Sequence, residues 1–218
     1  MGNIFEAIKG NALFEHISKE EFDKTLCCIS AKSTFYSKGD IIILAGDLPR
    51  FIGLVLSGSV RIIKEDIRGN RIILGDVKPP GLFGEMYAWS KIKESPITVQ
   101  AVSDCEVLLI DFRNIIKTCS SSCSAHKHLI QNMFQIMADK IVMLDHKVNI
   151  VSRRTIRERL LCFLDSQSGG NKKITISLNR EEMASFLCVD RSALSAELSK
   201  MQKEGLIKFS RNQFELLY

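Results

Sequence analysis

The residues best suited to chemistry in this chain are Arg180, Arg191, Ser192, Ser195, Ala196, Lys200, Lys208 and Arg211, carried on NREEMASFLCVDRSALSAELSKMQKEGLIKFSRNQF. Their spacing predicts two short helices joined by a tight turn. Asn179 is placed to cap the first, and Met183, Phe186 and Leu187 supply its buried side. Ala184 is small where crossing helices come close. Cys188-Val189-Asp190 forms the turn, and Asp190 is placed to cap a second helix running from Arg191 to about Lys203. Leu194, Leu198 and Met201 face inward on that helix, leaving Arg191, Ser192, Ser195 and Ala196 outward. Such a face can read base edges, arginine making a bidentate contact with guanine. GLIKFSRNQFELLY reads as two strands around a turn at Arg211-Asn212, a wing whose Lys208 and Arg211 could meet phosphates. A plain pair of packing helices is the simpler alternative. Glycine usually stands where this chain has Cys188, so the backbone there either avoids the left-handed region or accepts its strain.

A second set, Gly84, Glu85, Met86, Ser95, Pro96 and Thr98, places a lone carboxylate after a glycine turn and before a short strand. That grouping could line a small-molecule pocket. A third set, Cys119, Cys123, His126 and His128, has donors suited to zinc or haem iron. However, Ser120 to Ser124 reads as a helix-starting turn with the histidines on its solvated first turn, so neither metal nor haem is expected. Cys27 and Cys28 are adjacent, which suits a cluster poorly, while Cys105 and Cys162 sit among apolar neighbours as core residues do.

These residues need a scaffold. From about Phe35 to Asp111, short Ile- and Val-rich runs alternate with glycines, predicting an antiparallel sandwich or barrel. Asp66 to Arg71 reads as a hairpin loop and CEVLLID as the closing strand. Ahead of them, Ser18 and Glu21 form a capping box for a helix. From Ser124 to Val151 the period changes to three and four, with no glycine or proline. Leu129, Met133, Met137, Ile141, Leu144 and Val148 mark a narrow stripe on one long helix, expected to pair with a second copy in a homodimer. Ile156, Leu160, Phe163 and Leu164 mark a further helix, stopped by Gly169-Gly170.

Composition narrows the function classes. Residues 151–218 hold 12 Lys/Arg against 8 Asp/Glu, whereas the first 150 hold 18 against 17, so the basic excess lies where the paired helices are. That bias suggests an anionic partner. No run of 18 apolar residues appears, which excludes a membrane-spanning helix. Seven cysteines without framework spacing suggest a reducing, cytoplasmic setting. An enzyme on a cupin-like roll finds no support, because the strands carry no His-x-His-plus-Glu metal set and no nucleophile–base pair can be read.

In order, FYSKGDIIILAGD, GLVLSGSVRI, GLFGEM, TVQAVSDCEVLLID and REEMASFLCVDRSALSAEL resemble the Crp/Fnr family of bacterial transcription regulators across nearly the whole chain. The resemblance implies an α+β chain in three parts. These are an N-terminal β-roll effector domain (1–115), a long dimerisation helix (116–151) and a C-terminal winged helix-turn-helix (152–218). It implies double-stranded DNA, a homodimeric partner and a small-molecule effector as ligands, with RNA polymerase as a further partner. In the cyclic-AMP-binding members a glutamate accepts from the ribose hydroxyl, and Glu85 matches it. Their Arg-Ser pair, which binds the cyclic phosphate, aligns here with Ser95-Pro96. A buried phosphate needs a cation or several donors. Pro96 has no amide hydrogen, and Lys91 and Lys93 are poor substitutes for a fixed fork. Cyclic AMP is therefore not the expected effector, whose identity stays open between a metabolite and thiol oxidation. Arg191 matches a base-contacting arginine of the cyclic-AMP branch, while Ser192 and Ala196 replace its glutamate and second arginine. Ser195 matches a serine of the Fnr-like branch. A ligand-binding module without DNA activity, or a cyclic-nucleotide-binding protein, is the competing reading.

Overall fold

The structure, a computed structural model, describes residues 2–8, 10–66, 68–69, 71–116 and 124–218. It divides into two compact units, Met1–Ala138 and Asp139–Tyr218. The division falls within the long helix that runs from Ser124 to Val151.

The first unit opens with α1 (Gly2–Ile8), a 3-10 turn (Ala12–Phe14) and α2 (Lys19–Cys28). The Ser18 hydroxyl accepts from the Glu21 amide at 3.3 Å, completing the capping box that starts α2. Among the described residues eight strands follow: β1 (Lys32–Tyr36), β2 (Ile41–Ile43), β3 (Phe51–Ser57), β4 (Val60–Glu65), β5 (Arg71–Val77), β6 (Leu82–Phe83), β7 (Thr98–Ala101) and β8 (Cys105–Asp111). Between β6 and β7 lies α3 (Glu85–Ala88), and α4 (Phe112–Ile116) follows β8. The strands form two antiparallel sheets, β1-β8-β3-β6 and β2-β7-β4-β5.

Alternation along β8 explains why this sheet is covered on both faces. Cys105 and Val107 point to the core shared with the second sheet, where Val60, Val99 and Phe83 meet them. Leu108 and Ile110 point the other way, with Ile52 and Leu54 of β3, into a core made with α1, α2 and the start of the long helix. A period of two therefore feeds two cores from one strand. Gly53 has no side chain for a packing reason: a Cβ there would collide with the Phe83 ring.

The helix α5 (Ser124–Val151) has the expected bounds, and at ~1.5 Å per residue its 28 residues extend about 42 Å. Its stripe is not of one kind. Leu129 and Met133 are 0% and 1% exposed, built into the first unit's own core, and Met137 packs at its edge. Those two cannot also face a second copy, which corrects their place in the expected dimer seam. Ile141, Leu144 and Val148 are exposed.

The second unit contains α6 (Ile156–Ser168), β9 (Lys173–Thr175), α7 (Arg180–Leu187), α8 (Arg191–Lys203), β10 (Ile207–Ser210) and β11 (Gln213–Leu216). Its three-stranded antiparallel sheet has the order β10-β11-β9. Thr155 and Glu158 form a capping box on α6, and Gly169 closes that helix in the left-handed region. Leu160, Leu164, Met183, Leu187, Leu194, Leu198, Ile207 and Phe214 make a continuous core under the helices and sheet.

Candidate nucleic-acid interface and effector pocket

The α7–turn–α8 unit begins where Asn179 Oδ1 accepts from the Glu182 amide at 3.0 Å while Glu182 Oε2 accepts from the Asn179 amide at 2.7 Å. The end of α7 is held by Arg159, whose Nη1 donates to the carbonyls of Leu187 (3.1 Å) and Cys188 (3.2 Å). Cys188 itself adopts φ 54 and ψ 52, so the turn is left-handed despite lacking glycine. Asp190 occupies the cap position of α8, but its side chain makes no capping bond, contrary to expectation.

Leu194, Leu198 and Met201 anchor α8 on the core, turning Arg191, Ser192, Ala196 and Lys200 to solvent. Ser195 is half-buried, its hydroxyl donating back to the Arg191 carbonyl at 2.9 Å. Lys208 and Arg211 are exposed on the hairpin, Arg211 at its turn with φ 54. Arg180 departs from the expected pattern, because it is half-buried against β10 and β11. Burial there holds its guanidinium below its ordinary value.

Arg157 is a residue that composition and spacing did not single out. From α6 it donates to Glu197 (2.6 Å) and, through both Nη atoms, to Glu204 (2.6 and 3.0 Å). It thereby ties α6 to the middle and the C-terminal end of α8. The available signal was the Thr155–Glu158 capping box, which sets where α6 starts and hence which way Arg157 points.

In the first unit, Gly84 sits in the left-handed region (φ 81) ahead of α3, Glu85 is 2% exposed, and Met86 faces solvent. Ser95 is buried, but its donors and acceptors serve the fold. The hydroxyl donates to the Ile97 carbonyl at 2.9 Å and accepts from the Ile97 amide, while the Ser95 amide donates to the Asp47 carbonyl at 2.7 Å. Thr98 Oγ1 likewise accepts from the Ala45 amide at 3.1 Å. Thr98 borders a hollow of about 260 Å³ with Ile41, Ile63, Glu65 and Arg71, which Gly84, Glu85, Met86, Ser95 and Pro96 do not line. No arginine or lysine stands among the six residues of the expected set to meet a phosphate.

Cys119 and Cys123 lie outside the described residues. His126 is buried, not on a solvated turn, with Nε2 3.2 Å from the Asn114 carbonyl, while His128 is half-buried with its ring 6.0 Å from that of His16. Among the described residues no group of three or more His, Cys, Asp or Glu is arranged to hold a metal ion. Nor, among them, is any helix long and apolar enough to cross a membrane.

Residues 33–122 match the cyclic nucleotide-binding domain, and residues 158–217 match the Crp-like helix-turn-helix domain. The chain is 26% identical over 212 residues to the Cyclic AMP receptor protein of Thermus thermophilus, covering 96% of this chain and 94% of that protein. It is 21% identical to the transcriptional activator FnrL of Cereibacter sphaeroides, covering 79% and 71% respectively. In three dimensions it resembles a CooA variant from Carboxydothermus hydrogenoformans, with a TM-score of 0.60, 22% identity and coverage of 97% and 94%.

Proposed function

We propose that this chain, which belongs to the Crp/Fnr family of transcription regulators, works as a homodimer on a palindromic operator under an effector other than cyclic AMP. DNA binding follows from the Crp-like helix-turn-helix. The observation that carries the dimer is a seam on α5: Phe134, Met137, Ile141, Leu144 and Val148 recur at alternating steps of three and four. Phe134, Ile141, Leu144 and Val148 are 66%, 63%, 49% and 58% exposed. Apolar residues at this period are what two helices interlock, and water-exposed they are costly. A dimer places two copies of α8 about 34 Å apart, in successive major grooves, so that a small change in helix packing switches the fit.

The reading on the effector is supported by Ser95 and Pro96. A cyclic phosphate in that place would meet a hydroxyl and an amide already bonded to backbone, and a proline with no N–H. The residues present do not fit cyclic AMP.

Native mass spectrometry of anaerobically purified protein, followed by cyclic AMP titration in a calorimeter, tests both statements. A dimer that takes up no cyclic AMP at micromolar concentration is expected. A monomer would remove the two-half-site arrangement, and stoichiometric cyclic AMP binding would overturn the assignment of the pocket.

A further inference from the structure

Arg180 opens α7, and by position alone it belongs with the cations that meet DNA. Its surroundings assign it elsewhere. The guanidinium carbon lies 5.3 Å from the ring centre of Phe209 on β10 and 5.8 Å from that of Phe214 on β11. Those two rings stack on each other, 5.9 Å apart and 24° from parallel, so the cation covers the face of an aromatic pair that belongs to both strands of the hairpin. Its Nη2 then donates to the carbonyl of Arg211 at 3.2 Å. One side chain thus touches the first wing strand, the second, and the turn between them.

The turn needs such a hold. Arg211 is in the left-handed region at φ 54, a conformation a non-glycine residue keeps only against steric strain. The neighbouring Asn212 carbonyl accepts from the Ile176 amide at 2.8 Å, which ties the other side of the turn to the residue just past the end of β9. Arg180 supplies the tie on the helix side. A planar guanidinium is suited to this, since it stacks and donates at once, as a lysine ammonium cannot.

We propose that Arg180 is a positioning residue for the wing: it acts on DNA by holding the turn of the Phe209–Phe214 hairpin so that Arg211 faces the phosphate backbone, and is not itself a phosphate ligand. This rests on the DNA-binding reading of the C-terminal unit.

The test compares binding of the full-length wild type, Arg180→Gln, Arg211→Gln, Phe209→Leu and the double variant Arg180→Gln/Arg211→Gln to a mixed-sequence DNA duplex as salt is varied. Losing one phosphate contact lowers the log–log salt slope by about 1. Arg211→Gln is expected to show that drop, and the double variant to show no more. Phe209→Leu is expected to lower the slope as well, although it removes no charge. A double variant whose slope falls by about 2, with Phe209→Leu unchanged, would make Arg180 a direct ligand and overturn the proposal. Amide hydrogen exchange on the free proteins adds a DNA-independent reading. In Arg180→Gln, protection is expected to fall in Gln213–Leu216 while the Leu198 amide keeps its own. Undiminished protection in the hairpin would also overturn the proposal. A wild type that binds no duplex would overturn the DNA reading and this role with it, leaving the exchange result to report on the hairpin alone.

Discussion

Arg191 Nη1 lies 3.3 Å from Glu181 Oε2, so the first residue of α8 is paired with a carboxylate on α7 across the turn. Both side chains are mostly exposed, at 66% and 74%, and such a pair contributes little to stability. Its interest lies in binding. In the proposed role as a base reader, Arg191 would turn from Glu181 to a base edge, leaving Glu181 as an uncompensated charge near phosphates. Arg191→Ala is expected to cost about 1–3 kcal/mol on a selected operator and much less on random DNA. Glu181→Gln is expected to strengthen binding to both duplexes, more so at low salt. Fluorescence anisotropy on the two duplexes decides it, and equal losses for Arg191→Ala on both would end its role as a base reader.

The two halves of the α5 stripe are expected to answer mutation differently. Leu129→Ala empties a site that is 0% exposed in the first unit and should destabilise it by about 2–5 kcal/mol with the association state unchanged. Leu144→Glu puts a charge on an exposed position, so the fold is retained while the dimer dissociates. Denaturant unfolding paired with sedimentation equilibrium separates the two. A Leu144→Glu protein that stays dimeric would displace the seam from α5.

Asp111 gives the first unit a pH dependence. Arg113 and Arg50 hold its carboxyl well below the usual carboxylate range, Arg113 through Nε, Nη2 and its amide, Arg50 through Nε at 2.6 Å. The folded carboxyl is thus the stronger acid. Its stabilisation is present above the unfolded value of about 3.9 and is lost as pH falls from there toward the depressed folded value. Asp111→Asn is expected to cost roughly 1–3 kcal/mol at neutral pH and to flatten the stability profile below about pH 4. Urea unfolding across that range measures both, and an unchanged profile would mean another carboxylate dominates.

Cys188 carries a steric cost that a better residue relieves. At φ 54 and ψ 52 its Cβ is crowded, and asparagine tolerates that region better without the added chain freedom of glycine. Cys188→Asn is expected to raise the unfolding free energy of the second unit by up to about 1 kcal/mol, and Cys188→Val to lower it by a similar amount. Thermal unfolding of the three proteins checks the order Asn, Cys, Val.

Much of this was readable from local chemistry. The capping boxes at Ser18 and the side-chain cap at Asn179 depend on residues three apart, so neighbours in the chain suffice to place them. The span of α5 follows from an unbroken helical period with no glycine or proline. The inward residues of α8 follow from the same period. The pocket was less legible. The bonding of Ser95 and Thr98 to backbone at Ile97, Asp47 and Ala45 depends on how the loop after β2 meets β7.

The sequence by itself determined which faces of each element are apolar and which turns carry caps, because side-chain period and backbone propensity are local properties. It also determined that the outward face of α8 is polar and starts with a cation. Only the tertiary structure decided what covers each face. Leu129 and Leu144 lie on one stripe of one helix, yet one is buried in the first unit's core and the other is left open. Arg180 and Arg211 are cations of the same segment, yet one is held over Phe209 and Phe214 while the other is free to meet solvent. In both cases the deciding contacts join residues far apart in the chain, and a local period holds no information about them.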